Sequence, residues 1–338
     1  MAAKKRDSRA AKSAGRKKKS KAPKGSERVA KRLGRPLSQP APEAARLQAA
    51  LRDTIERDIS DRMAAHQREV ERLRAARAAR PDAQQPLMIL AHGDSWFNYP
   101  LKGNSVELPV RDTDIIAHLK KMGSPSPKIL NISHFGDATT DEMGLAKQKR
   151  LIKALTTPEN WLDGKPDVIL FSGGGNDIAG DPFCIYLNYK TTDSHTPGLD
   201  SDRFAGRLAS VKASYLDLFL FRDRYANGVP IFGHGYDNAR PMQPHPPCTG
   251  PWMKPSLEFT GWNDEEGAAI LLDALTRFRR VLIDLEGSPK NYDFTVVHTE
   301  GTLAKSDWAN ELHPYPPGFK KLADRFLAKL RDRFRGRI

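Results

Sequence analysis

Short apolar runs alternate with longer amphipathic stretches from residue 87 to the end of the chain. Each apolar run has four to six residues and is bounded by turn-forming residues, which is typical of a strand covered on both faces. Between the runs, residues 202–227 and 264–286 have helical spacing, and a last amphipathic helix runs through Phe319, Leu322, Phe326, Leu330 and Phe334. The predicted strands are residues 87–91, 128–132, 167–172, 230–233 and 294–298.

This alternation of strands and helices predicts an α/β fold in which a parallel sheet is flanked by helices. Ligands of such sheets bind beyond the carboxyl ends of the strands. The residues that follow each predicted strand are therefore the first candidates for chemistry.

The chain before residue 81 divides into two parts. Residues 1–41 are rich in Lys, Arg, Ala, Ser and Pro and lack aromatic residues, so we predict a disordered basic tail. Residues 42–80 are predicted to form an amphipathic helix, because apolar residues recur at spacing four from Leu47 to Met63. This helix either packs along the main domain, residues 81–338, or forms a homodimer with a second copy.

The formal charge of +14 is confined almost entirely to the tail. Residues 1–36 hold fifteen Lys and Arg against Asp7 and Glu27, which leaves about +1 for the other 302 residues. The tail is therefore a candidate for non-specific binding of nucleic acid or another polyanion. No apolar stretch is long enough for a membrane span, no secretory signal is visible, and Cys184 and Cys248 are isolated, so we expect a cytoplasmic protein.

Reactive or small residues follow four of the five predicted strands. Ser95 lies after the first strand, Gly136 after the second, Asn176 after the third and His313 after the fifth. Acyl transfer by a serine requires a hydroxyl, an imidazole that takes its proton, and donors for the developing oxyanion. Ser95 and His313 can supply the first two, while the backbone of Ser95 and Gly136 and the amide of Asn176 can supply the donors.

The four blocks in this order resemble the SGNH (GDSL-type) hydrolases. The matching residues are Gly93-Asp94-Ser95-Trp96, Gly136, Gly174-Gly175-Asn176-Asp177 and His313-Pro314. The resemblance implies a three-layer α/β/α sandwich with a five-stranded parallel sheet of flavodoxin-like type, and neither metal nor organic cofactor. It also implies esterase, lipase or carbohydrate O-deacetylase activity on a small-molecule or glycan ester. By this resemblance Ser95 is the nucleophile and also an oxyanion donor, His313 is the base, and Gly136 and Asn176 are the other oxyanion donors.

One position departs from the family's pattern. The last block is usually D-x-x-H, whereas the residue three before His313 is Asn310. Its carbonyl oxygen can hold an imidazole tautomer but supplies no negative charge for the imidazolium. Position favours Asn310 as the residue that orients His313, while charge favours the nearby carboxylates of Asp307 or Glu311.

Other functions fit the sequence less well. An α/β-hydrolase requires G-x-S-x-G, but Phe97 occupies the last position, and the histidines lack the spacing of a metallohydrolase. A different class of function remains open, in which the chain is a nucleic-acid-associated binding protein with a catalytically altered body. Two insertions, residues 181–199 and 239–261, carry aromatic residues and are candidate walls of a substrate cleft.

Overall fold

The computed structural model describes residues 42–100, 113–192, 195–245 and 248–338. The predictions made for the basic tail, residues 1–41, lie outside the described residues. The boundary between two compact units falls between Thr54 and Ile55, and residues 55–338 form a single unit. Within the described ranges, no helix is both long and apolar enough to cross a membrane.

Five parallel strands form one sheet, which confirms the predicted α/β fold class. The strands are β1 (Met88–Gly93), β2 (Lys128–Asn131), β3 (Val168–Ser172), β4 (Ile231–His234) and β5 (Phe294–Val297). Their order across the sheet is β2-β1-β3-β4-β5, the doubly wound order whose switch point lies between β1 and β3. Every strand end lies within two residues of its predicted position. The largest difference is at β1, where His92 and Gly93 continue the pairing with β3.

Helices cover both faces of this sheet, so the fold has three layers. The ring of Phe171 on β3 lies 5.0 Å from that of Tyr215, on the helix at Ser201–Tyr225. Phe171 pairs in register with Gly233, so both residues face the same side. Phe232, the neighbour of Gly233, faces the other side and contacts Phe334 at the end of the last helix. The large side chains on both faces are buried.

Three of the helices begin at a polar residue whose side chain caps them. Asp114 caps the helix at Ile115–Leu119 by accepting the N–H of Ala117, and Asp200 caps the helix at Ser201–Tyr225 by accepting the N–H of Arg203. Asn263 begins the helix at Asp264–Glu286 with a capping box. The helices are α1 (Pro42–Ala79), α2 (Ile115–Leu119), α3 (Thr139–Glu142), α4 (Leu145–Thr156), α5 (Gly175–Ile178), α6 (Ser201–Tyr225), α7 (Lys254–Phe259), α8 (Asp264–Glu286) and α9 (Pro316–Arg333).

The part of α1 from Ile55 onward packs on the compact unit. Ile59, Met63 and Val70 are buried, so this half of the predicted apolar stripe contributes to the core. Arg62 donates to the carbonyl oxygens of Asn131 and Ser133 at 3.1 and 3.3 Å. These bonds occupy backbone acceptors at the exposed edge of β2, which would otherwise be open to pairing with another strand. Homodimerisation through residues 42–80 stays a prediction.

Candidate active site

Ser95 lies in a tight turn directly after β1. Gly93 ends the strand with φ +146°, and a Cβ there would lie 2.3 Å from the carbonyl oxygen of Ser172. Only glycine therefore allows β1 and β3 to approach this closely. The carboxylate of Asp94 accepts the N–H of Trp96 at 3.0 Å, which fixes the turn around Ser95.

His313 lies in the loop before α9 and meets Ser95 across the carboxyl end of the sheet. Its Nε2 atom is 2.7 Å from Ser95 Oγ. The loop is held in place because the carbonyl oxygen of His313 accepts the backbone N–H groups of Ala309 and Asn310 at 3.0 and 3.3 Å. Two residues that are 218 positions apart in the chain are thus in hydrogen-bond contact.

Burial keeps the imidazole of His313 neutral. The side chain is almost completely enclosed, and this desolvation lowers its pKa from 6.5 to about 3. The rings of Tyr99 and Trp252 pack around it, with centroids 4.6 and 6.0 Å from that of the imidazole. A neutral imidazole can accept the proton of Ser95, but the imidazolium that results is costly in this setting.

None of the three candidates for orienting His313 bonds to its free ring nitrogen. Among the described residues, His313 Nδ1 has no hydrogen-bond partner. Asn310 Oδ1 accepts the backbone N–H groups of Leu312 and His313 instead, at 2.9 and 2.8 Å. The structure therefore places Asn310 under the loop rather than on the imidazole, which departs from the role that we expected for it.

The two carboxylates proposed as alternatives are bonded elsewhere. Asp307 accepts from Lys321 Nζ at 2.7 and 2.9 Å and from the Ala304 N–H at 2.7 Å. Glu311 accepts the backbone N–H groups of Trp252, Met253 and Lys254, the last two at 2.9 and 2.8 Å. Burial raises the pKa of Glu311, and these bonds oppose the rise. Glu311 thus holds the loop 252–254 in place through these three hydrogen bonds.

Two of the three predicted oxyanion donors, Gly136 and Asn176, line a cavity that Ser95 also borders. Asn176, in α5, contacts both cavities that border Ser95, and its Nδ2 donates to the carbonyl oxygen of Asp137 at 2.9 Å. An amide nitrogen has two protons, so one remains for a substrate oxygen. Gly136 has φ +80° and lines the wider cavity beside Ser95. The hydrogen bond between Asn176 and Asp137 links α5 to the loop that contains Gly136.

A second set of serine, histidine and aspartate, Ser172, His234 and Asp94, lies beneath the site. In this set the serine lies between the histidine and the aspartate, whereas in a catalytic triad the histidine lies between the other two. Ser172 Oγ donates to Asp94 Oδ1 at 2.7 Å and lies 2.9 Å from His234 Nε2. The N–H of Tyr236 donates to His234 Nδ1 at 3.3 Å, so the ring proton is on Nε2. His234 thus donates to Ser172 and cannot act as its base. Ser172 and His234 are both fully buried, so neither is accessible to a substrate.

This buried set supports the turn that carries Ser95. Asp94 also accepts from the hydroxyl of Tyr236 at 2.6 Å. Desolvation raises the pKa of Asp94 to about 6, against the effect of its three hydrogen bonds. The sequence singled out Asp94 as part of the first motif block, but it did not indicate Ser172 or Tyr236. No local motif marks these two residues, because the strands that bring them to Asp94 are distant in sequence.

Two cavities meet at Ser95 and His313. The first is small, about 40 Å³, and most of its lining is apolar. The second is an open groove of about 570 Å³ lined by the rings of Tyr99, Phe135 and Trp252. Of the aromatic residues in the two predicted insertions, only Trp252 lines these cavities. Phe183 and Tyr186 are buried, and Tyr189 packs against Phe259, with ring centroids 6.0 Å apart.

The described part of the chain contains no group of three or more His, Cys, Asp or Glu side chains arranged to hold a metal ion.

Comparison with known proteins gives structural matches only. No family profile and no curated protein matches the chain. A lipase from a goat rumen metagenome matches with 16% identity and a TM-score of 0.45, over 72% of this chain and 96% of its own. An extracellular lipase from Streptomyces rimosus matches with 16% identity and a TM-score of 0.45, over 72% and 99%. An acetyl-xylooligosaccharide esterase mutant from Geobacillus matches with 14% identity and a TM-score of 0.43, over 73% and 95%. Scores of this size support no inference about activity, which depends on the residues around Ser95.

Proposed function

We propose that this chain is a serine ester hydrolase that uses Ser95 as nucleophile and His313 as general base. The observation that carries the proposal is the 2.7 Å contact between Ser95 Oγ and His313 Nε2. Both residues border the two cavities at the carboxyl end of the sheet, where doubly wound folds bind their ligands. A hydroxyl and a neutral imidazole in contact at a cavity are the minimum that acyl transfer requires.

In the first half of the reaction, Ser95 Oγ attacks the ester carbonyl carbon while its proton passes to His313 Nε2. The carbonyl oxygen becomes an oxyanion, and Gly136 N–H and the second proton of Asn176 Nδ2 are the proposed donors to it. The carbon–oxygen bond to the alcohol then breaks, and the proton on His313 moves to the departing oxygen. The products of this half are the free alcohol and an acyl ester on Ser95.

In the second half, water attacks the acyl group and transfers a proton to His313. The tetrahedral intermediate collapses, Ser95 Oγ takes the proton back, and a carboxylic acid leaves. His313 thus accepts and returns one proton in each half. Since no described carboxylate contacts His313 Nδ1, the imidazolium formed in each half is stabilised less than in a full triad.

Labelling with a small fluorophosphonate tests the proposal directly, because the reagent requires only an activated serine. We expect wild-type protein to be labelled on Ser95 and to hydrolyse a short aryl ester. Ser95→Ala and His313→Ala should each reduce kcat by roughly a thousandfold or more, because the two residues act as a unit.

Ser172→Ala is the matched control, because it removes the serine of the buried second set. We expect this variant, once shown to be folded, to retain labelling on Ser95. Folded wild-type protein that is neither labelled nor active on any ester would overturn the proposal. That result would favour the alternative, a binding protein with an altered SGNH-like body.

A further inference from the structure

The two cavities at Ser95 differ in size and chemistry, and this difference bears on the substrate. The smaller cavity measures about 40 Å³ and the open groove about 570 Å³. An ester presents two parts to a nucleophile, the acyl chain and the alcohol. Each cavity can therefore be matched to one part by its volume and its lining.

The smaller cavity is suited to hydrocarbon. Its apolar lining includes Ile178, Met253, Leu271, Leu275 and Trp308. Two carboxylates, those of Asp94 and Asp237, also border the cavity, but their oxygens are engaged by neighbouring donors. Asp237 accepts the N–H groups of Asn238 and Gly301 at 2.6 Å and of Leu303 at 2.7 Å. The surface left for a ligand is apolar, so an alkyl group binds there without leaving polar groups unpaired.

The volume of this cavity limits the length of the chain. The cavity of about 40 Å³ has less than a tenth of the volume of the groove, which measures about 570 Å³. We therefore expect it to admit a short acyl group, whereas an octanoyl chain would require the walls to move.

The open groove is suited to a bulky alcohol. Tyr99, Phe135 and Trp252 present rings to it, and Phe135 is 42% exposed. Its described walls leave room for a ring-bearing alcohol, and flat aromatic faces stack on sugar or aryl rings. Two of these rings, Tyr99 and Trp252, also pack around His313. The departing oxygen would therefore leave beside the imidazole that protonates it.

We propose that the chain selects esters of short acyl groups, of two to four carbons, on bulky ring-bearing alcohols. The side chains of Leu271 and Leu275, on α8, close the acyl cavity and set this limit. The inference rests on the proposed ester hydrolase function.

A series of aryl esters with acyl chains from two to twelve carbons tests the limit. We expect kcat/KM of the wild type to be highest at two to four carbons and to fall at least a hundredfold by eight. Leu275→Ala should move the preferred chain length up by two carbons or more. Leu272→Ala is the matched control, because Leu272 lies on the same helix but is 47% exposed. This variant should keep the wild-type profile.

The two proposals fail in different ways. Absence of fluorophosphonate labelling in the wild type overturns the hydrolase function itself. Labelled wild-type protein that prefers octanoyl or longer esters overturns only the short-acyl inference, and this outcome does not depend on whether Leu275→Ala folds. An unchanged profile in a folded Leu275→Ala protein would also overturn it.

Discussion

The side chain of Asn310 bonds to the backbone of His313 and not to its imidazole. Asn310 Oδ1 accepts the backbone N–H of His313 at 2.8 Å, whereas Nδ1 of the same histidine has no partner among the residues described. Asn310 Nδ2 is also buried without a partner in that part of the chain. The side chain at position 310 thus positions the loop, and the ring of His313 is held by its contact with Ser95 and by packing.

Asn310→Asp should raise kcat. One carboxylate oxygen can keep the bonds to the backbone N–H groups of Leu312 and His313, and the other replaces the unpartnered Nδ2. The negative charge would stabilise the imidazolium and raise the pKa of His313 from its lowered value. We expect a gain in kcat of roughly tenfold or more, measured by steady-state turnover of a short aryl ester.

Asn310→Ala is the control for this change. It removes the acceptor for two backbone N–H groups, so the free energy of unfolding should fall by about 1–3 kcal/mol without a gain in kcat. A folded Asn310→Asp protein with unchanged kcat would show that position 310 cannot reach the imidazole.

The pH dependence of labelling should show a very low acid limit. The base form of His313 is the neutral imidazole, and burial lowers the pKa of this residue to about 3. A lowered pKa extends the range in which the ring is neutral. The rate of fluorophosphonate labelling should therefore stay nearly constant from about pH 8 to about pH 5 and fall only below that.

A half-maximal labelling rate near pH 6.5 would contradict this prediction, because it would indicate a solvated imidazole. Asp94, under the turn that carries Ser95, has its pKa raised to about 6 and therefore titrates in this range. Asp94→Asn removes that titration, so an inflection near pH 6 that disappears in this variant belongs to the buried network under the turn.

Asp307 and Glu311 should affect the protein differently when replaced by alanine. Asp307 pairs with an exposed lysine, so Asp307→Ala should change the free energy of unfolding by less than about 1 kcal/mol and leave kcat nearly unchanged. Glu311→Ala leaves three backbone N–H groups, two of them buried, without their acceptor. We expect a loss of roughly 1–3 kcal/mol in stability and a higher KM, because Trp252 lines the groove.

Denaturant unfolding and steady-state kinetics check both variants. A fall of roughly a hundredfold or more in kcat for Asp307→Ala, in folded protein, would restore Asp307 as the acid that orients His313.

Deletion of residues 1–41 should remove binding to DNA and leave ester hydrolysis intact. Nearly all of the net positive charge lies in this segment, so its removal should abolish any salt-sensitive retention on DNA. Turnover of an aryl ester should remain within about twofold of the full chain, because Ser95 and His313 lie in the unit formed by residues 55–338. Retention on DNA that survives the deletion would place the binding surface on the body.

The sequence by itself determined the sheet, because the pattern that marks a buried strand is local. All five strands were predicted within one or two residues of their observed ends, and the extension of β1 through Gly93 escaped prediction because its pairing depends on Ser172. The order of the motifs also indicated that Ser95, Gly136, Asn176 and His313 belong to one site. Parallel strands bring their carboxyl ends to the same edge, whatever the side chains between them.

Only the tertiary structure decided which groups bond to one another. Position favoured Asn310 and charge favoured Asp307 or Glu311, yet the first binds backbone, the second Lys321 and the third the loop 252–254. The network of Ser172, His234 and Tyr236 around Asp94 and the unequal volumes of the two cavities were equally invisible in the chain. Hydrogen-bond partners and cavity walls depend on rotamers and on contacts between distant segments, and neither is specified by the local pattern that specifies a strand.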